Sequence, residues 1–465
     1  MKKKLLPIVL CVALLLSVFS LAGCQKADDN DVADGPTGDV SDNGGDDAGQ
    51  DTPEPVNISF MGWGNDAEVA TFQAMIDQYE ERYGNVEVEY IVVPNTEFDT
   101  KLQAMIGAGE QPDAFYCGVD YLMKYASTDN LYDMTDYIAD NDIFDPGNVW
   151  DCAINLYRYD GQNMQQGQVY AVPKDVSVFP IVYNKDLFAE AGVTPPTEDA
   201  PWDWNDYVAA AKKLTSGEGD SKIYGSGAYS LESAVWSNGA DWLDETLTEV
   251  TVDDPAFVEA LQWVADLRLV EGVAPTVAES DSLSDYDRFK QGKLAMVGSG
   301  TWSFADFWEN CDFEWDVMNW PVSPNTGETA IWFGSAGLAV AATTEHPEEA
   351  CNLVSFLAFN EEAQRTSYTT GMSFPLLKDM AQDEYMEMDK APESKDVLFD
   401  ILNDNARLAT QSKTFNQEWF AEFNANVPAV FNGETTAEEF CTSIKDTLQE
   451  LLDKSIELKA EYAGS

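Results

Sequence analysis

This chain reads as an α/β protein, and three observations predict that class. Between Gln168 and Val193 a short strand, a Pro-marked turn, a second apolar strand and a helix follow one another. From Asn57 to Cys117 strand and helix signals alternate again, as in a sheet covered by helices. With 465 residues, 45% of them hydrophobic and 12% aromatic, the chain is long enough for two or three domains with full cores.

Taken in order, Met1–Gly23 has three lysines, an apolar run over Leu5–Leu16 and then small residues, the make-up of a secretory signal. It is too short and wrongly flanked for a membrane-spanning helix of the mature protein. Leu21-Ala22-Gly23-Cys24 has the form of a bacterial lipobox, so cleavage before Cys24 and a lipid on its sulfur are expected. Gln25–Pro55 holds nine Asp and one Glu against one Lys, with Gly, Asn and Pro between them. Such a stretch cannot collapse, and residues 24–55 are expected to be a lipidated, acidic, flexible tether.

Folding is expected to start at Val56. Asn57–Met61 reads as a strand, Gly62-Trp63-Gly64-Asn65 as a turn, and Asp66–Tyr83 as a helix with Phe72, Met75, Ile76 and Tyr79 on one face. Val86–Val93 alternates as a strand, Asp99–Ala108 is a helix stopped by Gly109-Glu110-Gln111-Pro112, and Asp113–Cys117 is a third strand. Helical and turn segments fill Leu122–Asp140. Further on, Ala171-Val172-Pro173 ends an extended run, and Val176–Tyr183 has the β-branched and aromatic content of a buried strand. Lys174 and Asp175 lie between them at a strand edge, where a side chain is held rigidly yet meets solvent. Asn184 caps the next helix, with Asp186 in its first turn. Asp203–Leu214 and Asp254–Leu269 are helices. Leu294–Val297 is a buried strand leading into Gly298-Ser299-Gly300, a loop that lets backbone approach a ligand, and then Trp302. Pro347–Leu357, Glu361–Thr369 and Glu434–Tyr462 complete the helices.

Lys plus Arg number 26 against 83 Asp plus Glu, a formal net charge of −57. That surface repels phosphate backbones, so no nucleic-acid partner is expected. The one histidine, His346, cannot supply a multi-His zinc site, and its place in a polar turn weakens Ser-His or Cys-His hydrolase chemistry. No metal site and no cofactor are expected, and carboxylates are the only acid–base groups in quantity. Of the seven cysteines, Cys11 falls in the leader and Cys24 in the lipobox. The other five are widely spaced and suit buried free thiols.

Three stretches taken together resemble one family. The first holds Tyr170, Pro173, Asp175, Tyr183-Asn184-Lys185-Asp186-Leu187-Phe188 and Ala191-Gly192, followed by Pro195-Pro196-Thr197. The second is Phe289–Trp302, and the third is Trp332–Val340. In this order they resemble the family-one extracellular solute-binding proteins, which hand sugars to ABC transporters. The resemblance covers essentially all of Val56–Ser465. It implies a two-lobed, periplasmic-binding-protein-like clamp (type II), each lobe a mixed sheet flanked by helices, with the ligand cleft between them. One lobe is expected over 56–135 and 333–376, the other over 136–332 and 377–465.

Sugar rings have apolar C–H faces that stack on aromatic planes, while carboxylates and amides bond the hydroxyls. Of thirteen tryptophans, Trp63, Trp236, Trp302 and Trp332 fall in loops after strands, within the segments that the resemblance assigns to the cleft. The expected ligand-binding set is therefore Trp63, Asn65, Asp113, Lys174, Asp175, Trp236, Asn238, Trp302, Trp332 and Phe333, with Trp302 foremost. The resemblance puts Asp113 and Asp175 in opposing lobes that close on a ligand. No catalytic residue is expected. The implied function is capture of a mono- or oligosaccharide, by a monomer anchored at the outer face of the cell membrane through Cys24, for delivery to an ABC permease. Lys174 adds a charge that relatives often lack, which keeps an acidic sugar or another polar solute open. The competing reading is a secreted glycosidase using Asp113 and Asp175 as its carboxylate pair.

Overall fold

The computed structural model describes residues 55–463. The signal segment, Cys24 and nearly all of the tether lie outside the described residues. Twelve strands are present among those described: β1 (Val56–Gly62), β2 (Val86–Val92), β3 (Ala114–Gly118), β4 (Arg158–Tyr159), β5 (Gln168–Val169), β6 (Ala171–Pro173), β7 (Ile181–Asn184), β8 (Met296–Gly298), β9 (Trp315–Met318), β10 (Ile331–Trp332), β11 (Ala336–Val340) and β12 (Ala406–Arg407). They form a five-stranded sheet in the order β2-β1-β3-β11-β6, a three-stranded sheet β8-β7-β9, and the small pairs β10-β12 and β4-β5. The two main sheets are the centres of two lobes.

In the larger sheet β1, β2 and β3 run parallel, β11 runs against β3, and β6 runs against β11. The helix Asp66–Tyr83 packs on this sheet through Phe72, Met75, Ile76 and Tyr79, the face its spacing predicts. Its start is fixed chemically. Asn65 Oδ1 accepts from the Ala67 and Glu68 N–H groups at 2.9 and 3.0 Å, and Glu68 Oε2 accepts from the Asn65 N–H at 2.8 Å. Helices Pro347–Phe359 and Glu361–Thr369 lie on the same lobe, where Gln78 Nε2 donates to Thr366 and Tyr79 OH to the Glu349 carbonyl.

Val176–Tyr183 departs from its sequence reading. Only Ile181–Asn184 is strand; the first half spans the gap between sheets and makes single bridges, Val176 to Phe374 and Ser177 to Gly334. Ser177 and Gly334 exchange both backbone bonds, at 2.7 and 3.1 Å. The segments leaving and re-entering the larger sheet are thus joined to one another.

The expected lobe boundary at 136 is revised by this topology. Residues beyond it stay with the larger sheet: Phe144 packs against Phe359 with the rings tilted, Trp150 Nε1 donates to the Pro375 carbonyl, Tyr157 OH donates to the Ser335 carbonyl, and β6 is a strand of that sheet. The reason is local. The segment from 137 to 173 buries Trp150, Tyr157 and Val172: Val172 pairs with Leu338 and Tyr157 lies against Gly337 of β11, and Trp150 packs on Phe374 and Phe399.

Cys117, Cys152, Cys311, Cys351 and Cys441 are free thiols, and Cys117, Cys351 and Cys441 are buried. No helix among the described residues is long and apolar enough to cross a membrane.

Candidate functional site

Strand direction decides which residues can meet. In the larger sheet, the ends of β1, β3 and β6 and the start of β11 fall on one edge, which carries Trp63, Asp120, Lys174, Asp175 and Ser335. In the smaller sheet β7 runs against both β8 and β9. The start of β7 and the ends of β8 and β9 therefore share an edge, and it carries Phe179, Trp302 and Trp320. Ligands of open α/β sheets bind beyond the carboxyl ends of the strands. These two edges line the cleft.

The smaller sheet's edge is a stack of rings. Phe179 lies 4.7 Å from Trp332, 5.9 Å from Trp320 and 6.0 Å from Trp302, with interplanar angles of 30°, 10° and 27°. Trp302 and Trp332 are 6.0 Å apart at 28°. Trp320 Nε1 donates to the Phe179 carbonyl at 2.6 Å and ties the stack to the sheet. Two glycines make room for it. A Cβ on Gly298 would sit 2.7 Å from Trp320 Cη2, and a Cβ on Gly300 would overlap the Trp302 ring. The Gly-Ser-Gly loop therefore admits the protein's own aromatic rings, and the expectation that it opens backbone to a ligand is corrected.

Two cavities flank this stack. One, of about 250 Å³, lies between Asn65, Glu68 and Thr71 on one side and Trp302, Asp306 and Glu309 on the other. The second, of about 400 Å³, is lined by Gly118, Asp120, Glu232, Trp332, Phe333 and Ser335, with Leu408–Ser412 closing it. Asp120 accepts a hydrogen bond from the Ser412 hydroxyl. Burial raises the Glu232 carboxyl above the usual range, against the effect of the Ser230 hydroxyl at 3.1 Å.

Lys174 and Asp175 form a buried ion pair, 2.6 Å apart, with side chains 8% and 6% exposed. The Asp175 Oδ1 accepts from the Ala336 N–H at 3.3 Å, and Lys174 Nζ lies 5.7 Å from the Tyr116 ring centre. Tyr116 in turn meets Trp63 edge-on at 4.8 Å. The lysine's charge is matched within the protein, so it adds no net positive charge to the mouth.

Of the expected residues, Asn65 and Trp302 border the first cavity and Trp332 and Phe333 the second, while Trp63, Lys174 and Asp175 follow strand ends on the larger sheet's edge. Three expected residues lie elsewhere. Asp113 precedes β3 and so sits at the opposite edge of the larger sheet. There its carboxylate accepts from the Ser59 N–H and hydroxyl at 2.9 and 2.7 Å and from the Thr344 hydroxyl at 2.7 Å. Burial opposes ionisation, but these bonds hold its carboxyl below the usual range. Asp113 and Asp175 border the same sheet at its two ends, so they do not face each other across the cleft. Trp236 is 2% exposed and packs edge-on against Trp242 in the core. Asn238 is buried and fully engaged: its Nδ2 donates to the Ala256 carbonyl and Glu259, and its Oδ1 accepts from Ser323 and Asn325. Asn238 thus ties this element to helix Pro255–Leu269, and Ser237 Oγ accepts from the Ala330 N–H at 3.0 Å.

Phe179, Trp320, Asp120 and Glu232 escaped the sequence reading. Phe179 and Trp320 each stand one or two residues from a strand end and beside a proline (Pro180, Pro321), a signal of the right kind for a sheet-edge aromatic. Nothing in the local sequence marks Asp120 or Glu232 among so many carboxylates.

Residues 63–364 match the family described as bacterial extracellular solute-binding protein, and the chain belongs to that family. An arabinooligosaccharide-binding protein of Halalkalibacterium halodurans is 25% identical over 222 residues, 46% of this chain; the matched region spans about half, 48%, of that relative. A galactooligosaccharide-binding protein of Bacillus subtilis is 23% identical over 65% of this chain and 69% of its own length. Among solved structures, an ABC substrate-binding protein from Listeria monocytogenes in complex with cycloalternan superposes with a TM-score of 0.76 at 26% identity, covering 86% of this chain and 100% of that one.

Proposed function

We propose that this protein is the extracellular receptor of an ABC importer for a carbohydrate, a mono- or oligosaccharide held between the two sheet edges. The observation that carries this reading is the near-parallel ring stack of Phe179, Trp302, Trp320 and Trp332 opposite an edge bearing carboxylates and hydroxyls. Flat apolar faces suit the C–H faces of a pyranose, and Asp120, Glu232, Glu68 and Asn65 suit its hydroxyls. The names of the relatives support the same class of ligand.

Capture works by closure. A sugar that touches both edges binds the closed arrangement better than the open one, so its binding energy shifts the population toward closed molecules. The permease would then read the closed form, and no bond of the sugar is broken. The chain passes between lobes at 174–180 and 333–335, and a third time between Glu384, which bonds Arg365 and Tyr368 of the larger lobe, and Ser394, which bonds Asp316 of the smaller sheet. Cys24 would carry the lipid and residues 25–55 the reach, with the protein acting as a monomer at the outer face of the membrane.

Tryptophan fluorescence and thermal melting against neutral oligosaccharides, uronic acids, amino acids and polyamines test the reading. A saturable response to one sugar class, lost in Trp302→Ala and with the sugar recovered intact, is expected. Consumption of the sugar would point to a glycosidase instead, and a response only to a non-sugar solute would overturn the ligand class.

A further inference from the structure

The cavity bordered by Trp332 and Phe333 also receives the start of a helix. Gly118 stands at the cap of helix Val119–Ser127 and has no side chain to bond the first N–H groups, and Gly118, Val119 and Asp120 all line the cavity. A bare helix start is a place where an anion settles. Here the negative charge is supplied by Asp120, in the first turn of the helix itself. We propose that Asp120 holds that place against the ligand, and so makes the receptor selective for uncharged sugars over their acidic counterparts. The inference rests on the carbohydrate reading above and narrows the class of sugar.

The rest of the cleft offers an anion no counter-charge. Glu232 adds a second carboxyl to the same cavity, and no Lys, Arg or His lines it. Its two serine hydroxyls are already donated within the protein, Ser412 to Asp120 and Ser335 to the Ala336 carbonyl at 3.3 Å. The cavity beside Trp302 has Glu68, Asp306 and Glu309, and again no basic side chain. The helix start that borders it is filled by Asn65 Oδ1, and Asp66 and Glu68 occupy its first turn. Two nearby lysines are matched. Lys174 pairs with Asp175 at 2.6 Å, and Lys290 lies 2.8 Å from Asp306 and 3.1 Å from Asp287. A sugar carboxylate placed here meets like charge, whereas a primary alcohol in the same position finds acceptors for its hydrogen.

The test is calorimetry with gluco-, arabino- and galacto-oligosaccharides, each beside the same oligosaccharide with its primary alcohols oxidised to carboxylates. In the series the protein binds, the oxidised form should bind about tenfold more weakly, or worse. The gap should persist at about 0.5 M salt, where the field of the acidic surface as a whole is screened. Asp120→Asn, whose amide oxygen can still accept from Ser412, should narrow the gap several-fold. The readout is the ratio of the two affinities, so a loss common to both sugars cancels. Should Asp120→Asn fail to fold, Asp120→Ser removes the same charge. Equal or tighter binding of the oxidised form by the wild type, a gap that closes in salt, or a gap unchanged in the folded variant overturns the proposal. Failure to bind any of the three series in either form would overturn the carbohydrate reading itself, and this selectivity with it.

Discussion

On the larger sheet the edge toward the cleft carries Trp63, Asp120 and the Lys174–Asp175 pair, whereas the smaller sheet ends in Phe179, Trp302 and Trp320. The first edge is held by ions and hydrogen bonds that are also part of the sheet, such as the Asp175 bond to the Ala336 N–H. The second is held by stacked rings, of which Trp302 and Trp332 are partly exposed. The two lobes thus divide the work. Changes on the larger sheet's edge should cost mainly stability, and changes on the smaller sheet's edge mainly affinity.

The largest effect is expected from Asp175→Ala. Removing one partner of this buried pair leaves Lys174 uncompensated, which costs about 3–5 kcal/mol of stability. Chemical denaturation should show the loss, and a variant as stable as the wild type would break the comparison at its strongest point. Trp302→Ala comes next and sharpens the other side. It should weaken sugar binding by about thirtyfold, ~2 kcal/mol at an interface anchor, with a smaller change in melting temperature. Gly300→Ala probes the same ring without removing it, because the added Cβ must displace Trp302. Weakened binding with an intact tryptophan count would separate ring position from ring presence.

Asp113→Asn provides the control from the far edge of the larger sheet. Loss of the charged acceptor should cost about 1–3 kcal/mol of stability with sugar affinity unchanged in the folded protein. The sign of its pH dependence follows from the lowered carboxyl. The network's stability is fully present above the unfolded value of about 3.9 and is lost as pH falls through the lower folded value. Wild type and Asp113→Asn should therefore differ most near neutrality and converge in acid. The smallest effect is Asn65→Ala, about 1 kcal/mol from loss of the helix cap. A loss of affinity larger than its loss of stability would assign Asn65 to the ligand as well.

Much of this was legible before any coordinates. Apolar spacing and the Asn65–Glu68 capping box define the helix Asp66–Tyr83, and both act within a few residues of chain. Trp302, Trp332 and Phe333, expected ligand residues that border the two cavities, each follow or end a strand in a recognisable segment. What local sequence lacks is the partner across the sheet. Asp113 follows a Gly-Glu-Gln-Pro turn and opens a strand, but only the pairing of β3 with β1 and β11 shows that it lies at the end away from the cleft. Val176–Tyr183 has one composition throughout, yet its first half bridges two sheets. That difference arises from Phe374 and Gly334, far along the chain.

The bonded crossing at Ser177 and Gly334 has a mechanical consequence. Lobes hung on independent threads could swing in many directions. Here the crossing strands grip each other, so they act as a short torsion bar with a preferred axis. Its stiffness is then a property separate from the ligand's contacts. Loosening it would change how many molecules are shut at a given sugar concentration, while every atom that touches the sugar stayed the same.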